Sequence, residues 1–106
     1  MDTLSQKLFQ LMLQLSRIQN SSRILESFIE RMNSIFKGIH FSKIEIDVIP
    51  PNEVIEIKTA YNEFGKLSLE YGQLILPISQ KNLINNAVDM LAILLENRKQ
   101  QEKLAY

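Results

Sequence analysis

Apolar residues in this chain change their spacing twice, and that double change limits the folds open to it. From Leu4 to Phe36 they recur at steps of three and four, and from Phe41 to Leu69 at about every second position. After Ser79 the helical spacing returns and holds to Leu95. Steps of three and four put side chains on one flank of a helix, whereas alternation puts them on one face of a strand. Two helical segments, a run of strands and a last helix predict an α+β fold, with an antiparallel sheet of three to four strands and helices on one face, in the order α-α-β-β-β-β-α. At 106 residues this is one domain. With 15 Leu and 14 Ile among 45% apolar residues, it has the material for a core.

Composition excludes several function classes. Twelve Lys plus Arg balance twelve Asp plus Glu, so the basic footprint of nucleic-acid binding is missing and no nucleic-acid partner is expected. Without cysteine there is no disulfide, thiolate nucleophile or thiolate metal site. No apolar run approaches the roughly 20 residues of a membrane span, and the start lacks the pattern of a secretory signal. The expectation is a cytoplasmic chain with no membrane partner.

Leu4, Leu8, Leu11, Leu15 and Ile18 form a heptad-like seam that suits packing against a parallel helix, and Phe9, Met12 and Leu13 widen it. So broad a stripe needs two surfaces. A second copy of the chain supplies one solution, and folding back within the same domain supplies another. Asn20, Ser21 and Ser22 interrupt the pattern, with a serine there able to cap the next helix. That second helix runs through Ile24, Leu25, Phe28, Ile29, Met32, Ile35 and Phe36 and ends near Lys37 and Gly38.

Ile44, Ile46 and Val48 alternate with Lys43, Glu45 and Asp47 in a half-buried strand with one wet face. A turn at Pro50, Pro51 and Asn52 leads to Ile55 and Ile57, and a hairpin pairing Val48 with Ile55 and Ile46 with Ile57 keeps apolar opposite apolar. Leu67 and Leu69 continue the apolar face after a turn at Asn62 to Gly65. The apolar parity then slips at Tyr71 and Gly72, through either a tight turn or a bulge. The turn is preferred, since it gives a fourth strand pairing Leu69 with Leu74 and Leu67 with Leu76.

The last helix is expected from about Lys81 to Lys103, capped by Ser79. Leu83, Ile84, Ala87, Val88, Leu91, Ala92, Leu94 and Leu95 cover more than half its circumference, again more than one sheet face can bury. Past Leu95 the chain is charged and reads as a helix leaving its domain. The predicted dimer interface is therefore Leu4, Leu8, Leu11, Leu15 and Ile18 with Ala87, Leu91, Leu94 and Leu95.

The run Tyr71-Gly72-Gln73-Leu74-Ile75-Leu76-Pro77-Ile78 and the later Ala87-Val88-Asp89-Met90-Leu91-Ala92-Ile93-Leu94-Leu95-Glu96-Asn97 resemble the closing strand and final helix of GAF sensor domains. Ile24 to Phe36 followed by Ile39 to Ile46 is similar to that family's first helix and strand. The resemblance covers most of the chain and implies a GAF/PAS-like domain over 1–106, with a dimerisation helix at 1–20, a core at 21–95 and an exiting signalling helix at 96–106. Only about 28 residues separate Ile44 from Gly72, so the segments that enclose a ligand in the family are missing. Lys43, Glu45, Asp47, Glu56, Lys58, Lys66 and Glu70 fall where its pocket would lie. No cofactor, cyclic nucleotide, haem or bilin is expected. Glu102 to Tyr106 resembles linkers into diguanylate cyclase and histidine kinase domains. The resemblance thus implies a homodimeric, non-catalytic sensor module of two-component or cyclic-di-GMP signalling, joined to a C-terminal output domain.

His40 is the sole histidine and reads as a loop or packing residue. Glu45, Asp47 and Glu56 are explained by strand alternation, and with Glu53 they lack the spacing of an acid–base pair or a calcium loop. Gly38, Gly65 and Gly72 stand apart, so no phosphate-cradling loop is present. No catalytic or metal residue is assigned. A competing reading is a small pocket on the sheet around Phe41, Tyr61, Phe64 and Tyr71 that takes an apolar molecule.

Overall fold

Asn20 divides the first two helices, α1 (Thr3–Ser16) and α2 (Ser21–Ile35). Its backbone is extended, and its Oδ1 accepts from the Ser22 N–H at 3.0 Å and from Ser22 Oγ at 2.7 Å. The cap is thus the asparagine itself, with Ser22 as the donor. At the far end the Phe36 N–H donates to the Met32 carbonyl at 2.9 Å. Gly38 then takes a φ of 97°, which side-chain-bearing residues avoid, and the chain reverses into the sheet. The computed structural model describes residues 3–44, 53–70 and 76–104.

The remaining elements are β1 (His40–Lys43), β2 (Glu53–Lys58), β3 (Glu63–Glu70) and α3 (Ile78–Leu104). The architecture is α+β in the order α-α-β-β-β-α, with three antiparallel strands ordered β1-β3-β2. β3 therefore lies between β1 and β2, so the described parts of those two strands do not pair with each other. Ile55 faces Leu67 and Ile57 faces Gly65 on β3, while Ile46 and Val48 lie outside the described residues. The same occupancy removes the expected pairing of Leu69 with Leu74 and Leu67 with Leu76. Leu67 already sits between Lys43 and Ile55, and Leu69 between Phe41 and Glu53, so neither side of β3 is open there. Leu74 lies outside the described residues and Leu76 is not in a strand.

The inner face also starts from a different residue than alternation suggests. Phe41 is 1% exposed and opposite Leu69. Ile44 instead donates its N–H to the Lys66 carbonyl at 3.0 Å, on the outer side of the sheet with Lys66. The β2–β3 turn is held by Thr59, whose Oγ1 accepts from the N–H groups of Tyr61 and Asn62, each at 3.2 Å. A bulge between Ile57 and Lys58 falls opposite Gly65, whose φ of 141° suits glycine.

Inner-face Phe41, Ile57, Leu67 and Leu69 meet Phe28, Ile24 and Met32 of α2 and Ile84, Val88 and Leu91 of α3 in one core. α2 packs on β1, α3 on β2, and α1 rests on α2 and α3. α3 starts three residues before the expected Lys81, because the Lys81 N–H bonds back to the Pro77 carbonyl at 3.0 Å.

One polar side chain secures the β1 edge. Asn33 of α2 donates Nδ2–H to the Phe41 carbonyl at 3.0 Å and accepts the Phe41 N–H on Oδ1 at 2.7 Å. Both ladder groups of Phe41 that point away from β3 are thereby satisfied, and the edge is closed to other strands. Replacing Asn33 by Ala leaves two backbone groups beside a buried phenylalanine without partners. The expected cost is about 1–3 kcal/mol, seen as a melting temperature lowered by roughly 5–15 °C in thermal denaturation.

Candidate functional site

α1 packs chiefly on α2 and α3, so its apolar width is met mainly by helices or left uncovered. Leu8, Leu11 and Leu15 are buried at 7%, 2% and 1% exposure, and Ala87, Leu91 and Leu95 of α3 at 3%, 0% and 5%. Leu4, Ile18 and Leu94 are half-buried against the same core. Six of the nine residues assigned to a dimer interface are therefore covered within one chain, and the seam that suits a parallel helix finds one in α3. Ser5, Phe9 and Met12 line a cleft with Leu83, Asn86 and Met90, while Ser16 and Ile18 meet Arg98, so the two helices run side by side in the same direction.

The apolar residues left over lie beside that seam. Phe9 is 63% exposed, Leu13 46%, Met90 47% and Ile93 57%. Phe9 and Met90 line the same cleft, of about 210 Å³, and no charged residue lines it. Leu13 and Ile93 stand one turn further along their helices and extend the exposed apolar surface beyond the cleft, with Arg17 and Asp89 at its border. The periodicity marks their helices as too broad for one surface, but the seam residues draw attention first because they fit the heptad.

Beyond Leu95 polar ties replace apolar packing on α3. Arg98 donates Nε–H to the Ile18 carbonyl at 3.0 Å, Nη2–H to the Ser16 carbonyl and Nη1–H to Gln101 Oε1 at 2.7 Å. Its guanidinium thus satisfies carbonyls left open where α1 ends. On another side of α3, Asn62 donates Nδ2–H to Glu96 Oε1 at 3.0 Å, and Lys99 Nζ donates to Asn62 Oδ1 at 2.9 Å. Glu96 is the only buried charged residue among those described, at 8% exposure, and the Asn62 amide meets the need of its carboxylate. Two ties on different sides of one helix fix its rotation as well as its position.

The remaining candidates stay apart. His40 is exposed and pairs with Glu70 across β1 and β3. Glu53 is bound to Lys81 at 3.0 Å, and Glu45 and Asp47 lie outside the described residues. Glu56 and Lys58 form an exposed pair at 2.9 Å. The Lys58 hydrogen bond and charge lower the Glu56 pKa, and Glu56 raises that of Lys58 by the same two causes. Solvent screening makes this pair worth little to stability. Among the described residues no group of His, Asp or Glu is placed to hold a metal, and no helix is long and apolar enough to cross a membrane. The pocket expected on the sheet does not gather its residues: Phe41 is in the core, Tyr61 is 86% exposed in a turn, Phe64 is half-buried and Tyr71 lies outside the described residues. Comparisons of the chain with known protein families, with curated proteins and with solved structures found no match.

Arg98→Ala is expected to cost about 1–3 kcal/mol and to speed hydrogen exchange at the amides of residues 96–104, with β3 unchanged. Arg98→Lys has no fork to span two carbonyls and recovers only part of the protection. Exchange followed by mass spectrometry reads both.

Proposed function

We propose that this chain is a non-catalytic, GAF-like dimerisation module that passes changes in helix packing to an attached output domain. The observation that carries this reading is the uncharged cleft lined by Phe9 and Met90, with exposed Leu13 and Ile93 one turn further on, across two parallel helices. Contiguous exposed apolar surface of this kind marks interaction sites. A second copy is a suitable occupant because a face without charge meets its own image without like-charge repulsion. A stable interface covers roughly 800 Å² on each partner, so these four side chains form its centre and neighbouring amides such as Asn86 and Asn97 its rim.

The direction of the helices supports transmission. With a two-fold axis along the helices, α1 and α3 of one copy against α1 and α3 of another make a four-helix arrangement in which both α3 helices leave at the same end. Small shifts or rotations of packed helices are a common way to carry a signal across such an interface. The output domain is then a diguanylate cyclase or a histidine kinase acting in the cytoplasm, with neither nucleic acid nor membrane as a direct partner.

Sedimentation equilibrium is expected to give twice the 12.3 kDa of one chain. Phe9→Glu combined with Met90→Glu should yield a folded monomer, since both side chains are largely exposed within one chain. Leu91→Asp with Leu95→Asp should instead unfold the chain, because each puts a charge into its core. A native chain that stays monomeric at every concentration overturns the proposal.

A further inference from the structure

The opposite flank of α1 carries different chemistry. A cleft of about 220 Å³ runs between α1 and α2, with Lys7 on one wall and Arg31 on the other. Leu11 and Ile35 lie beneath, and Gln10, Gln14 and Ser34 complete the lining. An adjoining cleft of about 280 Å³ shares Lys7 and Ile35 and adds Lys37. Lys7 thus lines both clefts, with Arg31 in one and Lys37 in the other, and among the described residues no carboxylate lines either. Residues 3–16 contain no acid, and the acids of α2, Glu26 and Glu30, are absent from both linings.

This imbalance is local. The whole chain has equal numbers of acids and bases, and four of its other cations have partners, Lys58 with Glu56, Lys81 with Glu53, Lys99 with Asn62, and Arg98 with the end of α1. Among the described residues Lys7, Arg31 and Lys37 have none. Like charges gathered without an acid repel one another, and an anion between them relieves that repulsion. The guanidinium supplies a planar fork for an oxyanion, the ammonium a compact charge, and the amides and hydroxyl further hydrogen-bonding groups. Leu11 and Ile35 offer an apolar surface below.

We propose that the α1–α2 cleft binds a small organic anion, its phosphate or carboxylate head between Lys7 and Arg31 and its apolar body against Leu11 and Ile35. The site is independent of the dimerisation reading, because Phe9 and Leu13 occupy the other flank of α1.

The test is a titration of the full chain followed by amide chemical shifts, with phenyl phosphate and benzoate as probes and benzyl alcohol as the uncharged control. The expected result is saturable shifts at Lys7, Gln10, Leu11, Arg31, Ser34 and Ile35 with at least one anionic probe, and none there with the alcohol. The stronger probe identifies the head group as phosphate or carboxylate. Lys7→Gln and Arg31→Gln should each weaken binding by about tenfold or more, the scale of one charge-assisted hydrogen bond. Both positions are exposed, so the variants should keep the native melting temperature. Absence of saturation, or shifts spread equally over Lys43, Lys66 and other surface cations, means an adventitious ion only and overturns the proposal. Binding unchanged in both glutamine variants also overturns it.

Discussion

β3 is hydrogen-bonded on both sides, and much of the molecule follows from that occupancy. A strand with no free side makes its two neighbours the edges of the described sheet, and each edge is tied to a helix in its own way. Asn33 of α2 takes the outward groups of Phe41 on β1, while Lys81 of α3 holds Glu53 on β2. Those ties set α2 and α3 over the inner face and use up the area it offers. α1, the remaining helix, packs chiefly on the other two. A helix in that position buries one side and presents the rest to solvent, which is why both functional proposals fall on its flanks.

The two flanks separate by charge. Facing α3, the surplus is apolar and uncharged, in Phe9, Leu13, Met90 and Ile93; facing α2, it is cationic, in Lys7 and Arg31. The heptad-like leucines between them serve the interior. A short amphipathic helix is usually described by a buried face and a wet one, but α1 has three sectors. The narrow leucine sector leaves room for the other two.

How much of this was legible in the residues depends on the range of the interaction. Helices and strands came through as period because the inward side chains of α2, β2, β3 and α3 keep their spacing along the whole element. Neighbours in the sheet did not, since Ile55 meets an apolar residue against either candidate partner, and parity carries no address. Whether Leu8, Leu11 and Leu15 were covered by their own chain or by another was unreadable for the same reason: periodicity records that a face is buried and says nothing of what buries it. Asn33 and Arg98 were invisible. Their partners are backbone carbonyls and an amide, present at almost every position and so leaving no mark in the residue types. The cationic cleft drew no notice because its members lie on two helices and the overall charge is zero.

The Arg98 contacts join positions 80 and 82 residues apart in the chain. At ribosomal rates of about 5–20 residues per second, some 4–16 s pass between synthesis of the end of α1 and arrival of the arginine that closes it. Throughout that interval the leucines of α1 lack the helix that shelters one side of them. A nascent chain therefore carries α1 with an uncovered apolar side until α3 has been made.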